Sequence, residues 1–168
     1  MADFKIIENW LPKDIFDKVQ SDIVWNPEFP VTLSNRVVRE EEKESNWYAT
    51  HLFYDMDIPC SHYWTVIDEF FLGKFRQMNI CRSFIRAKLN FYPNTGDMIE
   101  HPQHIDYDFE HTAAIFSLNT CNGFTRLDDG TKIDSVANRI FFFNGSTMHN
   151  STTCTDEPAR FNINFNFL

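Results

Sequence analysis

A chain of 168 residues suits one domain, and at that size it can hold a core without staples. Hydrophobic residues make up 43%, with 18 Phe, which is too apolar for a disordered chain. The net charge of −9 and the pI near 5.0 argue against a duplex-binding protein, so nucleic acid is not an expected partner.

Cys60, Cys81, Cys121 and Cys154 are scattered, with no C-x-x-C pair or zinc-ribbon spacing. They read as reduced thiols of a cytoplasmic protein (host cytoplasm if the source is viral). The start, Met1-Ala2-Asp3-Phe4-Lys5, has no basic region followed by an apolar stretch, so no secretory signal is expected. No run of about 18 apolar residues is present either, so no membrane span is expected.

In chain order, Lys5 to Leu11 is a short apolar strand. Pro12 opens a helix over Lys13 to Ile23, with Ile15, Phe16 and Val19 at helical spacing. Asn35 to Glu44 reads as a strand running into a charged loop, either a solvated hairpin tip or a flap over a pocket, with Glu40–Glu44 at its end. A second helix is expected from Ser61, as cap, to Gln77, with Trp64, Ile67, Phe70, Phe71 and Phe75 on one face. After Cys81 short strands take over: Phe84–Tyr92, Thr112–Leu118, Phe124–Leu127, Arg139–Phe143 and Arg160–Phe167. The turn signals between them include Asn122-Gly123, Asp129-Gly130 and Asn144-Gly145. The expected fold is therefore mainly β with flanking helices (α+β), a sandwich or closed barrel with helices on one sheet's outer face. One domain spans 1–168, with a supporting strand and helices over 1–80 and a β core over 81–168.

Two strands carry more information. In Arg160 to Phe167, Arg and three Asn alternate strictly with Phe, Ile, Phe and Phe. Arg86, Lys88, Asn90 and Tyr92 share one face of the other strand in the same way. These polar faces either meet water or line a polar pocket inside a jelly roll.

The chemistry begins at His104-Ile105-Asp106. In an extended segment the imidazole and carboxylate of an H-x-D lie on one side, where one metal ion can reach both. With six His and 24 acidic residues, about one such triplet arises by chance, so the motif alone is weak. His149, after an apolar strand and the Asn144-Gly145 turn, is the best third ligand, though a lone His there is more often a surface residue. Arg160 follows at the head of the alternating strand. Two His and one carboxylate leave three positions open on an octahedral ion, the non-haem iron arrangement. A chelating 2-oxoacid fills two of them and O2 the third. The oxoacid's far carboxylate needs a buried cation, and Arg matches it with a planar fork. His101 is a weaker alternative to His104, because its neighbours two positions away are Ile99 and Gln103. One of His101 and His111 is expected behind the ligands or at the pocket mouth, and His51 and His62 are expected to be structural.

From Phe84 to Leu168 the chain resembles the prolyl 4-hydroxylase-like branch of the Fe(II)/2-oxoglutarate-dependent dioxygenases. The similar segments are Asn90-Phe91-Tyr92-Pro93, the Gly96 turn leading to His104 and Asp106, and Phe116-Ser117-Leu118-Asn119. They continue with Asn122-Gly123-Phe124-Thr125, the strand before His149, and Arg160. The resemblance implies a double-stranded β-helix (jelly-roll, cupin-like) core. It implies Fe2+ on His104, Asp106 and His149, which are thereby the catalytic residues, and 2-oxoglutarate on Arg160, assisted by Tyr92 and Thr125. Ser117 stands where many members have Tyr, so a cosubstrate hydrogen bond there is weakened or replaced. Ascorbate is implied as an auxiliary reductant. The implied reaction hydroxylates a prolyl residue of a peptide or protein with O2, releasing succinate and CO2. A small polar metabolite or free amino acid is the alternative substrate. The nucleic-acid demethylase branch has a second Arg where this chain has Asn166. Similar small oxygenases occur in bacteriophages, and the Phe- and Asn-rich composition fits that source. The rival of another class is a non-catalytic jelly-roll binding module whose H-x-D lies in a loop or binds zinc structurally.

Overall fold

The computed structural model of the chain describes residues 4–35, 37 and 47–168. The Glu40–Glu44 segment, expected as a hairpin tip or flap, lies outside the described residues. Among those described, the order is β1 (Phe4–Ile7), α1 (Lys13–Ile23), β2 (Thr32–Ser34), β3 (Tyr48–Asp55) and β4 (Ile58–Pro59). A helical stretch follows, with α2 (Trp64–Ile67), a π-helical turn (Asp68–Leu72) and α3 (Gly73–Gln77). The strands after it are β5 (Phe84–Pro93), β6 (Thr112–Ser117), β7 (Phe124–Leu127), β8 (Lys132–Asp134), β9 (Ile140–Asn144), β10 (His149–Ser151) and β11 (Ala159–Phe167). No helix among the described residues is long and apolar enough to cross a membrane.

Two antiparallel sheets form. The larger runs β1-β9-β6-β11-β5-β3-β2, with β4 on β3, and the smaller runs β10-β7-β8. One face of the larger sheet carries Ala87, Leu89, Ala114, Phe116, Phe142, Ile163, Phe165 and Phe167. It packs on Trp10, Phe16 and Val19 and on Phe71 and Phe75 of the helical stretch. The aromatic rings meet edge-on or tilted, as Phe71 does with Phe116 and Phe165 at 5.0 Å each. This is the expected layer of helices on one sheet, and the apolar alternation of β11 explains it. On the other face, Ala113, Ile115, Phe141 and Phe143 pack on Leu127 and Ile133 of the smaller sheet. The two sheets thus make a jelly roll with a second, smaller core, and the space beside that core remains for polar side chains.

The short strands β2, β4, β8 and β10 were not expected, and three further local features differ from expectation. The first strand stops at Ile7, and Asn9 turns the chain at φ 49°, so Trp10 and Leu11 enter the helix-side core from a loop. Asn138, at φ 62°, holds that loop: Leu11 N donates to its Oδ1 at 2.9 Å, and its Nδ2 donates to the Leu11 carbonyl at 2.8 Å. The second helix starts at Trp64 and not at Ser61, because Ser61 Oγ bonds His51 Nε2 at 2.7 Å instead of capping. That bond, with the 2.7 Å one from His51 Nδ1 to the Pro30 carbonyl, gives His51 its structural role. Strand β3 was not expected. A register shift between Leu52 and Tyr54 interrupts its side-chain alternation, the signal by which a strand is read from sequence.

Candidate metal centre

The polar face of β11 does not meet water, and that of β5 is buried at Asn90 and Tyr92 and half-buried at Arg86 and Lys88. Asn162, Asn164 and Asn166 are buried, and Arg160 is 1% exposed. The strands pair so that Arg160 lies opposite Tyr92, Asn162 opposite Asn90, Asn164 opposite Lys88 and Asn166 opposite Arg86. Together they form one wall of a cavity between the sheets. Lys88, Asn90, Tyr92, Asn162 and Asn164 line it on this side, and Thr125, His149, Asn150 and Ser151 from the smaller sheet line the other. His104 and Asp106 close it, and about 430 Å³ of space lies within, part of it open to solvent.

His104, Asp106 and His149 converge here although 43 residues separate Asp106 from His149 in sequence. An isolated backbone bridge joins His104 to His149, with both N–H to carbonyl distances at 2.9 Å. The two imidazole centroids are 4.6 Å apart, and the ligand atoms of all three side chains lie within 4.8 Å of one another. His149 Nδ1 donates to the Thr147 carbonyl at 2.9 Å, which leaves the Nε2 lone pair free and 4.0 Å from Asp106 Oδ2. Phe143 packs edge-on against the same ring at 4.8 Å.

Asp106 is held from behind. Arg86 donates to Oδ1 at 2.8 Å, and Asn166 and Asn164 donate to Oδ2 at 2.8 and 3.2 Å. Asn166 uses its second amide hydrogen on His111 Nε2 at 3.1 Å, while its oxygen accepts from Arg86 Nε at 3.1 Å. His111 Nδ1 donates to the Phe109 carbonyl, so Nε2 is left to accept. Burial opposes ionisation of Asp106, yet Arg86, the neighbouring imidazoles and the Asn166 amide hold its carboxyl well below the usual carboxylate range. Burial, reinforced by His149, pushes His104 down to about 4, so its imidazole is neutral at pH 7 and able to ligate. His104 Nδ1 is buried without a hydrogen-bond partner.

The donor set therefore fits a divalent non-haem metal ion: two imidazoles with a free nitrogen and an ionised carboxylate already fixed in orientation.

Arg160 stands directly behind the cavity wall. Its Nε donates to Ser135 Oγ at 2.6 Å. One terminal nitrogen donates to the carbonyls of Phe124 and Thr152 at 2.7 and 3.1 Å, and the other to Thr125 Oγ1 at 2.9 Å. These are four bonds from five donors. Burial works against its charge, and no carboxylate pairs with it among the described residues. Gly123 permits the arrangement by close approach: a Cβ there would lie 2.8 Å from Arg160 Cδ and 2.6 Å from the Thr153 carbonyl oxygen. The Tyr92 ring lies 5.8 Å from the guanidinium. Burial pushes its phenol up to about 12, so it keeps its proton as a donor.

Thus His104, Asp106, His149, Tyr92 and Thr125 share one cavity, and Arg160 is bonded to its wall. Ser117 is buried on the same β6 face as Ile115 but does not line the cavity. His101 lies beside Tyr92, its Nδ1 hydrogen-bonded with Ser151 Oγ at 2.9 Å, and His111 braces Asn166. Sequence reasoning did not find the Arg86–Asp106 ion pair or the Asn166 relay. Their signal was the polar alternation itself, which marks a face but not its partner.

No protein-family model and no curated protein matches the sequence. Solved structures do match it. A prolyl-4-hydroxylase of Pseudomonas putida aligns over 99% of this chain and 93% of its own, with TM-score 0.66 and 15% identity. The viral collagen prolyl hydroxylase of Paramecium Bursaria Chlorella virus-1, solved with 2OG, aligns over 98% and 96%, with TM-score 0.63 and 14% identity. A Trichoplax adhaerens prolyl hydroxylase, in complex with a hypoxia inducible factor peptide fragment, aligns over 98% and 83%, with TM-score 0.64 and 18% identity. At these identities the likeness is one of architecture, and the chain has the jelly-roll fold of the 2OG-Fe(II) oxygenases.

Proposed function

We propose that the protein is an Fe(II)- and 2-oxoglutarate-dependent oxygenase that hydroxylates an unactivated C–H bond. One observation carries the reading: two imidazoles and an ionised carboxylate meet in a cavity whose wall is bonded to a buried guanidinium that has no carboxylate partner among the described residues. His104, Asp106 and His149 would hold the iron. Arg160, with its fifth donor unused, would neutralise the cosubstrate's far carboxylate, and Tyr92 and Thr125 would offer hydroxyls to it. When bound, the iron and 2-oxoglutarate supply the oxidising power, with succinate and CO2 as coproducts. The chain's own part is positioning. Asp106 stays anionic under Arg86, both imidazoles keep a free nitrogen, and the flanking Phe143 and Ile115 exclude water from one side.

A prolyl residue of a peptide is the substrate that the three structural neighbours support, one of them holding a peptide. A small polar molecule or free amino acid is the second reading, favoured by the polar wall of Lys88, Asn90, Asn162 and Asn164. The test is succinate release with Fe(II) and 2-oxoglutarate, followed by mass spectrometry for one added oxygen in candidate substrates. Arg160→Met is expected to weaken 2-oxoglutarate binding about tenfold or more while metal binding persists. Wild-type protein that neither binds nor consumes 2-oxoglutarate leaves the non-catalytic binding module as the better reading.

A further inference from the structure

The β5–β11 wall holds more charge and more acceptors than iron and cosubstrate account for. Lys88 lines the cavity, and no hydrogen bond or ion pair joins it to any described residue. It lies four residues along β5 from Tyr92, about 13 Å at ordinary strand rise. Its ammonium therefore serves the end beside Asp106, not the end beside Arg160. Two amide oxygens on this wall, Asn90 Oδ1 and Asn164 Oδ1, are buried without partners. The carboxylate orients Asn164, whose Nδ2 donates to Asp106 Oδ2 at 3.2 Å, and Asn90 Nδ2 donates to Asn162 Oδ1 at 3.0 Å. Asn164 is the cross-strand partner of Lys88.

Among the described residues, the half-buried Lys88 ammonium has no bonded anion and the two buried amide oxygens have no N–H donors. Leaving them unmatched is costly, and a ligand that supplies both removes the cost. A prolyl residue inside a neutral peptide supplies no anion, since neither its ring nor its flanking amides carry charge, and its own nitrogen carries no hydrogen.

We propose that the substrate presents a carboxylate to Lys88 and an N–H to the amide oxygens of Asn90 or Asn164. This rests on the oxygenase reading of the same cavity. The carboxylate comes from a free amino acid or from an acidic side chain within a peptide, and both bring N–H groups.

The experiment measures 2-oxoglutarate-dependent succinate release by the full chain across paired compounds. Free L-amino acids, proline included, are compared with their amides. End-blocked prolyl peptides carrying Asp or Glu are compared with the same peptides carrying Asn or Gln. The proposal expects stimulation by acids and about tenfold less by the matched amides. The free-acid and acidic-peptide arms report which source applies. In Lys88→Met the KM for the stimulating acid rises about tenfold, Lys88→Arg restores part of it, and the Kd for 2-oxoglutarate moves less than about threefold. Equal effects of acids and amides, including no stimulation by either, overturn the proposal. So does a Lys88→Met variant that loses 2-oxoglutarate affinity instead, since the ammonium then belongs to the cosubstrate. If wild-type protein binds no 2-oxoglutarate at all, the oxygenase reading fails first, and that result is read before any substrate is added.

Discussion

Adding one methyl group at Gly145 tests whether the brace behind Asp106 is rigid. Gly145 takes no left-handed backbone conformation, so only space constrains it. In Gly145→Ala the new Cβ would lie 2.7 Å from His111 Cε1 and 2.8 Å from Cδ2, and closer still to Nε2. Carbon atoms rest at roughly 3.5–4.0 Å, so the imidazole or the backbone must move by about 1 Å. The ring cannot swing freely: it is 4% exposed, tied to the Phe109 carbonyl at 2.9 Å and to Asn166 at 3.1 Å. Overpacking of this kind costs roughly 1–3 kcal/mol, and a stretched buried hydrogen bond adds about 1 kcal/mol, so a loss of about 2–4 kcal/mol is expected. Asn166 donates to both His111 and Asp106, so the displacement also reaches the carboxylate. Urea unfolding measures the stability, and Mn(II) titration followed by electron paramagnetic resonance measures the site, where a fall in affinity of about tenfold is expected. Wild-type stability and wild-type metal affinity together would refute the rigid relay from Gly145 through His111 and Asn166 to Asp106.

Asn166→Leu removes the relay without changing charge; metal affinity should fall by roughly 10- to 100-fold in the same titration, and an unchanged affinity would count against the relay. Asn138→Ala loses two buried bonds to Leu11 and puts Ala at φ 62°, so unfolding free energy should drop by roughly 2–4 kcal/mol, with Asn138→Gly recovering only the backbone share of about 1 kcal/mol. Burial pushes His101 down from 6.5 to about 4. The unfolded chain therefore takes up that proton first as pH falls, and stability declines between pH 6.5 and 4, then levels off. The metal-free protein should lose roughly 3 kcal/mol through this group, and His101→Gln should flatten that part of the pH dependence of urea unfolding. An equal slope in the variant would mean that His101 titrates normally.

Much of the site was legible because strand alternation is a strong local signal. Arg160 to Phe167 announces one apolar and one polar face, and the apolar face is indeed the helix-side core. The H-x-D, His149 and Arg160 were legible as a set, since no one of them carries the chemistry alone. Whether the polar face met water was not legible. That depends on β10, β7 and β8 folding over it, and β10 and β8 are three-residue strands, too short to show a period. The Arg86–Asp106 pair joins residues from separate segments, and only the β5–β11 register places Asn166 between them. Strand β3 was hidden by its bulge, and Ser61, a plausible cap by type, was taken by His51. In both cases a tertiary contact outweighed the local preference.

On the proposed function, His104, Asp106 and His149 bind one iron with a chelating oxoacid beside Arg160. The most direct measurement is an anaerobic titration of the Fe(II)-loaded protein with 2-oxoglutarate, watched in visible light. A saturable metal-to-ligand charge-transfer band is predicted, absent in His149→Ala and shifted to higher 2-oxoglutarate concentration in Arg160→Met. Iron that binds without producing a band at any oxoacid concentration, or a band that survives the loss of His149, would contradict it.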